Sequence, residues 1–283
     1  MQNSPKVQEI IDAQKATWNK FAPGWKKWDG LLMRSLQPMS DAVVDAAGLK
    51  RGDQVLDLAT GTGEPGLTAA TRIGDGKVLG LDVAAEMVAI ANENAKARGL
   101  GNYAARTQEA SQLDFPEGAF DAVVCRLGVM FFGDPPATLK ELLRLLKPGR
   151  KASLSAWGEP AQNPHATLIG GILAKGLGLP PPPEDAPGIF RFSSQEKFRG
   201  LLEGAGFRDV AVTEAKGEVS WETPLQYWEY MTEIAAPIAK ALAGAPPEKS
   251  AEMKAQVLEE AGKRIRDGQV TLAWSAWIAS GTK

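Results

Sequence analysis

The stretch VLDLATGTGEPG, residues 55–66, holds the side chains and spacings with the most chemical content in this chain. Gly61, Gly63 and Gly66 spell G-x-G-x-x-G, a strand-to-helix turn whose backbone N–H groups can cradle a dinucleotide pyrophosphate. Asp57, Gly61 and Gly63 also spell D-x-x-x-G-x-G, a pattern suited to an adenosyl ligand without phosphates. Alone, the turn says little, because glycine-rich turns of this kind are common with no ligand at all. Asp82 closes the next apolar run, KVLGLD, and can accept two hydrogen bonds from a ribose diol. Either ligand carries that diol.

The carboxylates separate the two readings. Asp57 lies inside the apolar run, where its burial is costly unless loop N–H groups, or a ligand amine reached through water, bond to it. A diphosphate gains nothing from that charge, whereas a ligand carrying an ammonium and a sulfonium does. Glu64 adds a carboxylate where a diphosphate would sit on the helix N-terminus. A helical segment before the first strand points the same way with less weight. S-adenosylmethionine is therefore favoured over NAD. An NAD(P)-dependent oxidoreductase and an S-adenosylmethionine-binding protein without turnover stand as alternatives.

These residues need a scaffold, and the hydrophobic periodicity supplies one. Helical spacing over residues 6–47, with breaks at Pro23-Gly24 and Pro38, makes an N-terminal helical cap over 1–47. Apolar runs at 55–58, 77–82, 103–107, 120–127 and 150–157 alternate with helical stretches at 67–72, 85–98 and 137–146. Alternation with short links implies right-handed crossovers and a mostly parallel, doubly wound α/β sheet. A helix at 193–206 and strands at 208–221 and 269–280 complete seven strands, so residues 48–283 form one Rossmann-like domain. Insertions at about 158–192 and 221–267 are expected to form a lid over the substrate pocket; four consecutive prolines at 180–183 stiffen the first.

Composition narrows the partners. The chain has 283 residues, 44% hydrophobic and 23% charged, enough for a sizeable core. Lys and Arg number 32 against 34 Asp and Glu, a formal charge of −2, which argues against nucleic acid. Cys125 is the single cysteine and His165 the single histidine, so no intrachain disulfide and no His-rich metal site are expected. No signal peptide and no apolar run of about 18 residues stand out. A cytoplasmic protein, monomer or homodimer, acting on a small molecule is the expectation.

Beyond the glycine turn the chain resembles class I S-adenosylmethionine-dependent methyltransferases, in the branch of ubiquinone/menaquinone-biosynthesis methyltransferases. VLDLATGTG, VLGLDVAAEMVAIA, EASQLDFPEGAFDAVVCRLGVMFF, ATLKELLRLLKPGR and FSSQEKFRGLLEGAGFRDVAV carry the resemblance in that order. Ala59 stands where a glycine is frequent, and Arg150 where KPGG would have its second glycine. The resemblance implies that Asp57, Ala59, Gly61, Thr62 and Gly63 surround the methionine part of the cofactor. It implies that Asp82 holds the ribose, Val83 and Met87 flank the adenine, and Glu109 with Ala110 reads its amine. Met87 serves equally as plain helix core. Arg126 falls where cofactor and substrate meet.

Methyl transfer from a sulfonium to an O, N or C nucleophile, leaving S-adenosylhomocysteine, needs positioning and exclusion of water more than elaborate chemistry. Trp18, Trp25 and Trp28 are candidates for the substrate pocket, or else for docking the cap on the core. His165 has the one unperturbed pKa suited to a general base and is the candidate catalytic residue; a capping role is the plainer alternative. GDPPA at 133–137 reads as a helix start, and Cys125 as core.

Overall fold

The computed structural model describes residues 3–183 and 185–283; Met1, Gln2 and Glu184, which fall in the expected cap and first insertion, lie outside the described residues. The chain starts with one 43-residue helix, α1 (Pro5–Ala47), entered through Ser4, whose Oγ accepts the Val7 N–H. The breaks expected at Pro23-Gly24 and Pro38 do not occur, and α1 runs through both. A proline inside a helix loses one i→i−4 bond and costs about 3 kcal/mol. Here a long buried stripe offsets that cost. Trp28, Leu32, Leu36, Met39 and Val43, spaced three or four apart, all enter the main core. Each contributes roughly 1.5–3 kcal/mol on burial, so tertiary packing outweighs the prolines.

Strands β1 (Gln54–Leu58), β2 (Lys77–Asp82), β3 (Tyr103–Thr107), β4 (Phe120–Arg126) and β5 (Leu146–Trp157) run parallel. Helices α2 (Gly66–Arg72), α3 (Ala85–Ala97) and α4 (Pro135–Leu145) make the crossovers. Then come α5 (Pro164–Leu177), α6 (Gln195–Ala205), β6 (Arg208–Trp221), α7 (Pro224–Ile234), α8 (Ala236–Ala243), α9 (Pro247–Gly262), β7 (Ile265–Arg266) and β8 (Gln269–Thr282). The sheet order is β3-β2-β1-β4-β5-β8-β6, with β8 antiparallel to both neighbours. That is the doubly wound sheet the alternation implies. The two-residue β7, paired to β8, is an addition to the expected seven strands.

The chain moves from β1 outward to β3, then crosses to β4 on the other side. This reversal opens a crevice at the carboxyl ends of β1 and β4. Register keeps those ends level, pairing Leu58 with Leu81, Asp82 with Thr107 and Arg126 with Ser155. Helix α1 lies across the sheet and along α7, with Trp25 Nε1 donating to Ile234 O at 3.3 Å and Trp28 Nε1 to Glu233 Oε2 at 2.7 Å.

Candidate active site

The glycine turn is shaped by close approaches below it. A Cβ on Gly66 would stand 2.5 Å from Asp57 Oδ2, so only glycine lets α2 begin against that carboxylate. Asp57 Oδ2 accepts the Gly66 N–H at 2.9 Å and the Thr60 hydroxyl at 2.5 Å. The Tyr103 hydroxyl lies 2.8 Å from the same Thr60 oxygen. Burial pushes the Asp57 pKa up to about 8, against the pull of those two hydrogen bonds. Ala59 sits at φ +55°, in the left-handed region, which is why glycine suits that position in related turns.

Asp82 bridges the turn and the second strand. Its Oδ2 accepts the Gly61 N–H and its Oδ1 the Ala84 N–H, each at 2.9 Å. Burial raises its pKa, and these backbone donors oppose the rise. Glu64, 2% exposed, accepts from Arg98 Nη1 at 2.7 Å and from the Thr68 hydroxyl at 2.7 Å. It also accepts the Thr68 backbone N–H at 3.2 Å, so the N-terminus of α2 is occupied by the chain's own carboxylate.

One cavity of about 1110 Å³, counting its open mouth, runs over this turn. Asp82, Val83, Met87, Glu109 and Ala110 line it, with Glu109 Oε2 accepting from Gln112 Nε2 at 3.0 Å. Ala59, Gly61, Thr62 and Arg126 line it as well. Trp18, Trp25, Phe131 and Phe132 complete the lining with Ile11 from the first turns of α1, and Trp18 and Trp25 also pack against the Ala22–Ala84–Met87–Ile90 cluster. The Trp18 ring meets Phe131 edge-on at 5.1 Å and Trp25 at 5.9 Å. Space lies open where a Gly61 side chain would begin, with no atom within 4 Å. Asp82's remaining lone pairs, that open glycine and an acidic group two strands away fit an adenosyl ligand.

Several expectations are corrected. Asp57 and Gly63 do not line the cavity: Asp57 is turned beneath the loop, and Gly63 packs on Leu67. Asp57 is bonded to Gly66 and Thr60, and Glu64 to Arg98 and Thr68, so it is Glu64 that denies a phosphate its place at the start of α2. Trp28 is also outside the lining, edge-on to Tyr230 at 5.7 Å. His165 is 7% exposed and outside the cavity, with its ring 4.6 Å from Trp157 and its Nδ1 3.3 Å from Ala273 O. Burial pushes its pKa down to about 4, so it is a neutral packing residue and no base for this site. Neither 158–192 nor 221–267 supplies a lining residue; α1 covers the cavity, while α5, α7 and α9 pack on one another. Met87 both lines the cavity and packs with Ala84 and Ile90. Asp134 Oδ1 accepts the Ala137 N–H at 3.0 Å, a helix cap as expected.

Phe131 and Phe132 were not anticipated, although two aromatics directly after a strand end were a visible signal. Ile11, Gln14 and Trp18 share one face of α1, and that face was readable from its spacing, but not its destination.

Residues 55–149 match the family described as Methyltransferase domain. The chain is 33% identical over 179 residues to the demethylmenaquinone methyltransferase of Thermus thermophilus, covering 58% of this chain and 78% of that protein. It is 33% identical over 160 residues to the ubiquinone/menaquinone biosynthesis C-methyltransferase of Bdellovibrio bacteriovorus, covering 56% and 66% respectively. In fold it is similar to the YcgJ protein of Bacillus subtilis, at a TM-score of 0.55 and 18% identity over 86% of this chain and 97% of that one. The chain belongs to the class I S-adenosylmethionine-dependent methyltransferases. Within them it is similar to the ubiquinone/menaquinone-biosynthesis branch, and it is an enzyme that moves a methyl group from S-adenosylmethionine to a small or medium-sized organic acceptor. Among the described residues no helix is long and apolar enough to cross a membrane.

Proposed function

We propose that this enzyme methylates a flat aromatic acceptor held between α1 and the loop after β4. The observation that carries the reading is the cavity that Asp82 and Glu109 line together with the rings of Trp18, Trp25, Phe131 and Phe132. Asp82 holds the ribose hydroxyls, Val83 and Met87 flank the adenine, and Glu109 with Ala110 meets its amine. Ala59, Gly61 and Thr62 run along the amino-acid chain of the cofactor, with Arg126 beyond them. Trp18 and Trp25 face the acceptor. Asp57 and Gly63 act from beneath, by fixing the turn. The demethylmenaquinone in the name of the Thermus relative is an aromatic acceptor of this kind.

When bound, the cofactor supplies a methyl group already activated on a sulfonium. The chain's part is to align the acceptor and to keep water out, which supports large accelerations by itself. Among the described residues, no His, Lys, Cys or Tyr lines the cavity. Its acids are engaged: Glu64 by Arg98, Asp82 by Gly61 and Ala84, Glu109 by Gln112, Asp134 by Ala137. Residues 1–47 act as the cap on 48–283. The protein acts as a monomer or homodimer, and its single-cysteine composition supports the cytoplasm.

A mass-spectrometric screen for methylated products tests the reading, using phenols, hydroquinones and heteroaromatics against aliphatic amines and carboxylates of similar size. Products confined to the aromatic set support it, and products confined to the aliphatic set overturn it.

A further inference from the structure

Helix α5 carries its apolar character onto its outer side. Of its 14 residues, PHATLIGGILAKGL, only His165 and Lys175 can bear a charge, and His165 is buried. A helix at a protein surface ordinarily turns several charged residues to water, and one that is apolar all round is covered. Here Leu168 and Ile172 are half-buried, Gly171 and Lys175 are exposed, and Leu179, just past the helix end, is 45% exposed. Leu168, Gly171, Ile172 and Lys175 share one face by their spacing and form one wall of a groove of about 850 Å³, counting its open mouth. Gln256, Glu259 and Glu260 of α9 form the other wall.

The two walls run in opposite directions. A Cβ on Gly176 would stand 2.7 Å from Met253 Sδ, and Lys249 Nζ donates to Gly176 O at 3.5 Å, so the start of α9 meets the end of α5. At about 1.5 Å of rise per residue, Glu259 and Glu260 then come level with the Leu168 end of α5, and Lys175 stands at the opposite end. The charges are divided in the same way. Glu259 and Glu260 share the one ammonium of Lys263, at 2.9 Å and 2.7 Å. Lys175 makes no ion pair among the described residues.

We propose that this face is the contact between two copies of the chain, α5 crossing α5 of the second copy antiparallel about a two-fold axis beside Gly171 and Ile172. A contact across a two-fold must map its residues onto themselves. About that axis Lys175 of one copy faces Leu168 of the other, and Ile172 faces Gly171, so the four α5 residues of the groove pair wholly among themselves. No atom lies within 4 Å of where a Cβ on Gly171 would stand, which leaves room for the opposing Ile172. Each Lys175 then reaches Glu259 and Glu260 of the other copy, and an ion pair forms at both rims. An acidic rim beside the apolar wall suits this occupant and disfavours a lipid surface. The helix is about 21 Å long, so the contact is at the small end of specific interfaces, and the dimer comes apart on dilution.

Sedimentation velocity on the full chain tests the contact, with loading concentrations from about 1 to 200 μM. The mass should rise across that range from one chain toward two. Lys175→Glu should weaken the dimer by about tenfold or more, since each rim then opposes like charges. The double variant Glu259→Lys, Glu260→Lys should do the same. An equimolar mixture of these two variant chains should recover association to within about threefold of the wild type, because both rims of the mixed dimer pair opposite charges. Misfolding cannot produce that recovery, and circular dichroism of each variant alone checks its fold. A wild-type chain that stays monomeric throughout, a dimer indifferent to both reversals, or a loss that mixing does not restore overturns the proposal. Flotation of such a monomer with phosphatidylcholine vesicles would give the face to a lipid surface instead.

Discussion

Asp82 Oδ2 lies 2.9 Å from the Gly61 nitrogen, which makes the end of β2 and the turn after β1 one hydrogen-bonded unit. The carboxylate is therefore aimed before any ligand arrives, and its second oxygen is held by Ala84 in the same way. Asp82→Ala should weaken S-adenosylhomocysteine binding by about 1–3 kcal/mol, through the lost acceptor and a looser turn. Calorimetry decides this, and unchanged affinity would mean that the ribose lies elsewhere.

Two tryptophans of α1 should separate function from stability. Trp18 faces the cavity against Phe131, whereas Trp28 is buried against Tyr230 and bonded to Glu233. Trp18→Ala should raise KM for the acceptor and leave S-adenosylhomocysteine affinity within about twofold. Trp28→Ala should cost about 3–5 kcal/mol of stability, the usual loss for a large buried aromatic. Steady-state kinetics and thermal melts on both variants test the division; a KM effect from Trp28 alone would reverse it.

His165 should matter to acid stability and not to catalysis. The folded chain keeps it neutral because burial pushes its pKa from 6.5 down to about 4. Between those values the unfolded chain binds the extra proton, so the stabilisation present above about pH 6.5 is lost as pH falls toward 4. The loss amounts to about 3 kcal/mol at most. His165→Gln should flatten that part of the curve in urea unfolding followed against pH, with kcat retained within about twofold. A hundredfold fall in kcat would restore His165 to the mechanism.

The loop after β4 carries stored strain, with Leu127 at φ +59° beside Gly128 and Ala59 at φ +55° across from it. A Cβ on Gly128 would stand 2.5 Å from the Ala59 Cβ and 2.9 Å from Cys125 Sγ. Gly128→Ala should therefore cost about 1–3 kcal/mol of stability and weaken cofactor binding by displacing the glycine turn. The double variant Ala59→Gly, Gly128→Ala should recover part of the stability, because it removes the nearer atom struck and leaves Cys125 Sγ. No recovery in the melt would place the clash elsewhere.

Much of this was readable in the chain because local patterns and tertiary needs agree. The alternation of short apolar runs with capped helices gave β1 to β5, and the glycine turn with Asp82 marked the crevice. The misses are tertiary. Pro23 and Pro38 read as helix breaks, but a core stripe from Trp28 to Val43 holds α1 together through them. The lid was sought in the long insertions, yet α1 returns over the cavity, and the insertions brace it from behind, Arg191 bonding Phe132 O and α7 packing along α1. Asp57 read as needing loop N–H groups or a ligand amine, and the loop's Gly66 N–H is its partner; for Glu64, sequence spacing does not reveal that Arg98 engages it.

A crystal structure of the full chain with S-adenosylhomocysteine tests the central claim most directly. The account predicts ribose hydroxyls on Asp82, adenine between Met87 and Ala110, and the thioether sulfur facing the open part of the cavity beside Phe131. A nucleoside bound away from Asp82, or a sulfur sealed from the cavity so that no acceptor could reach it, would contradict it.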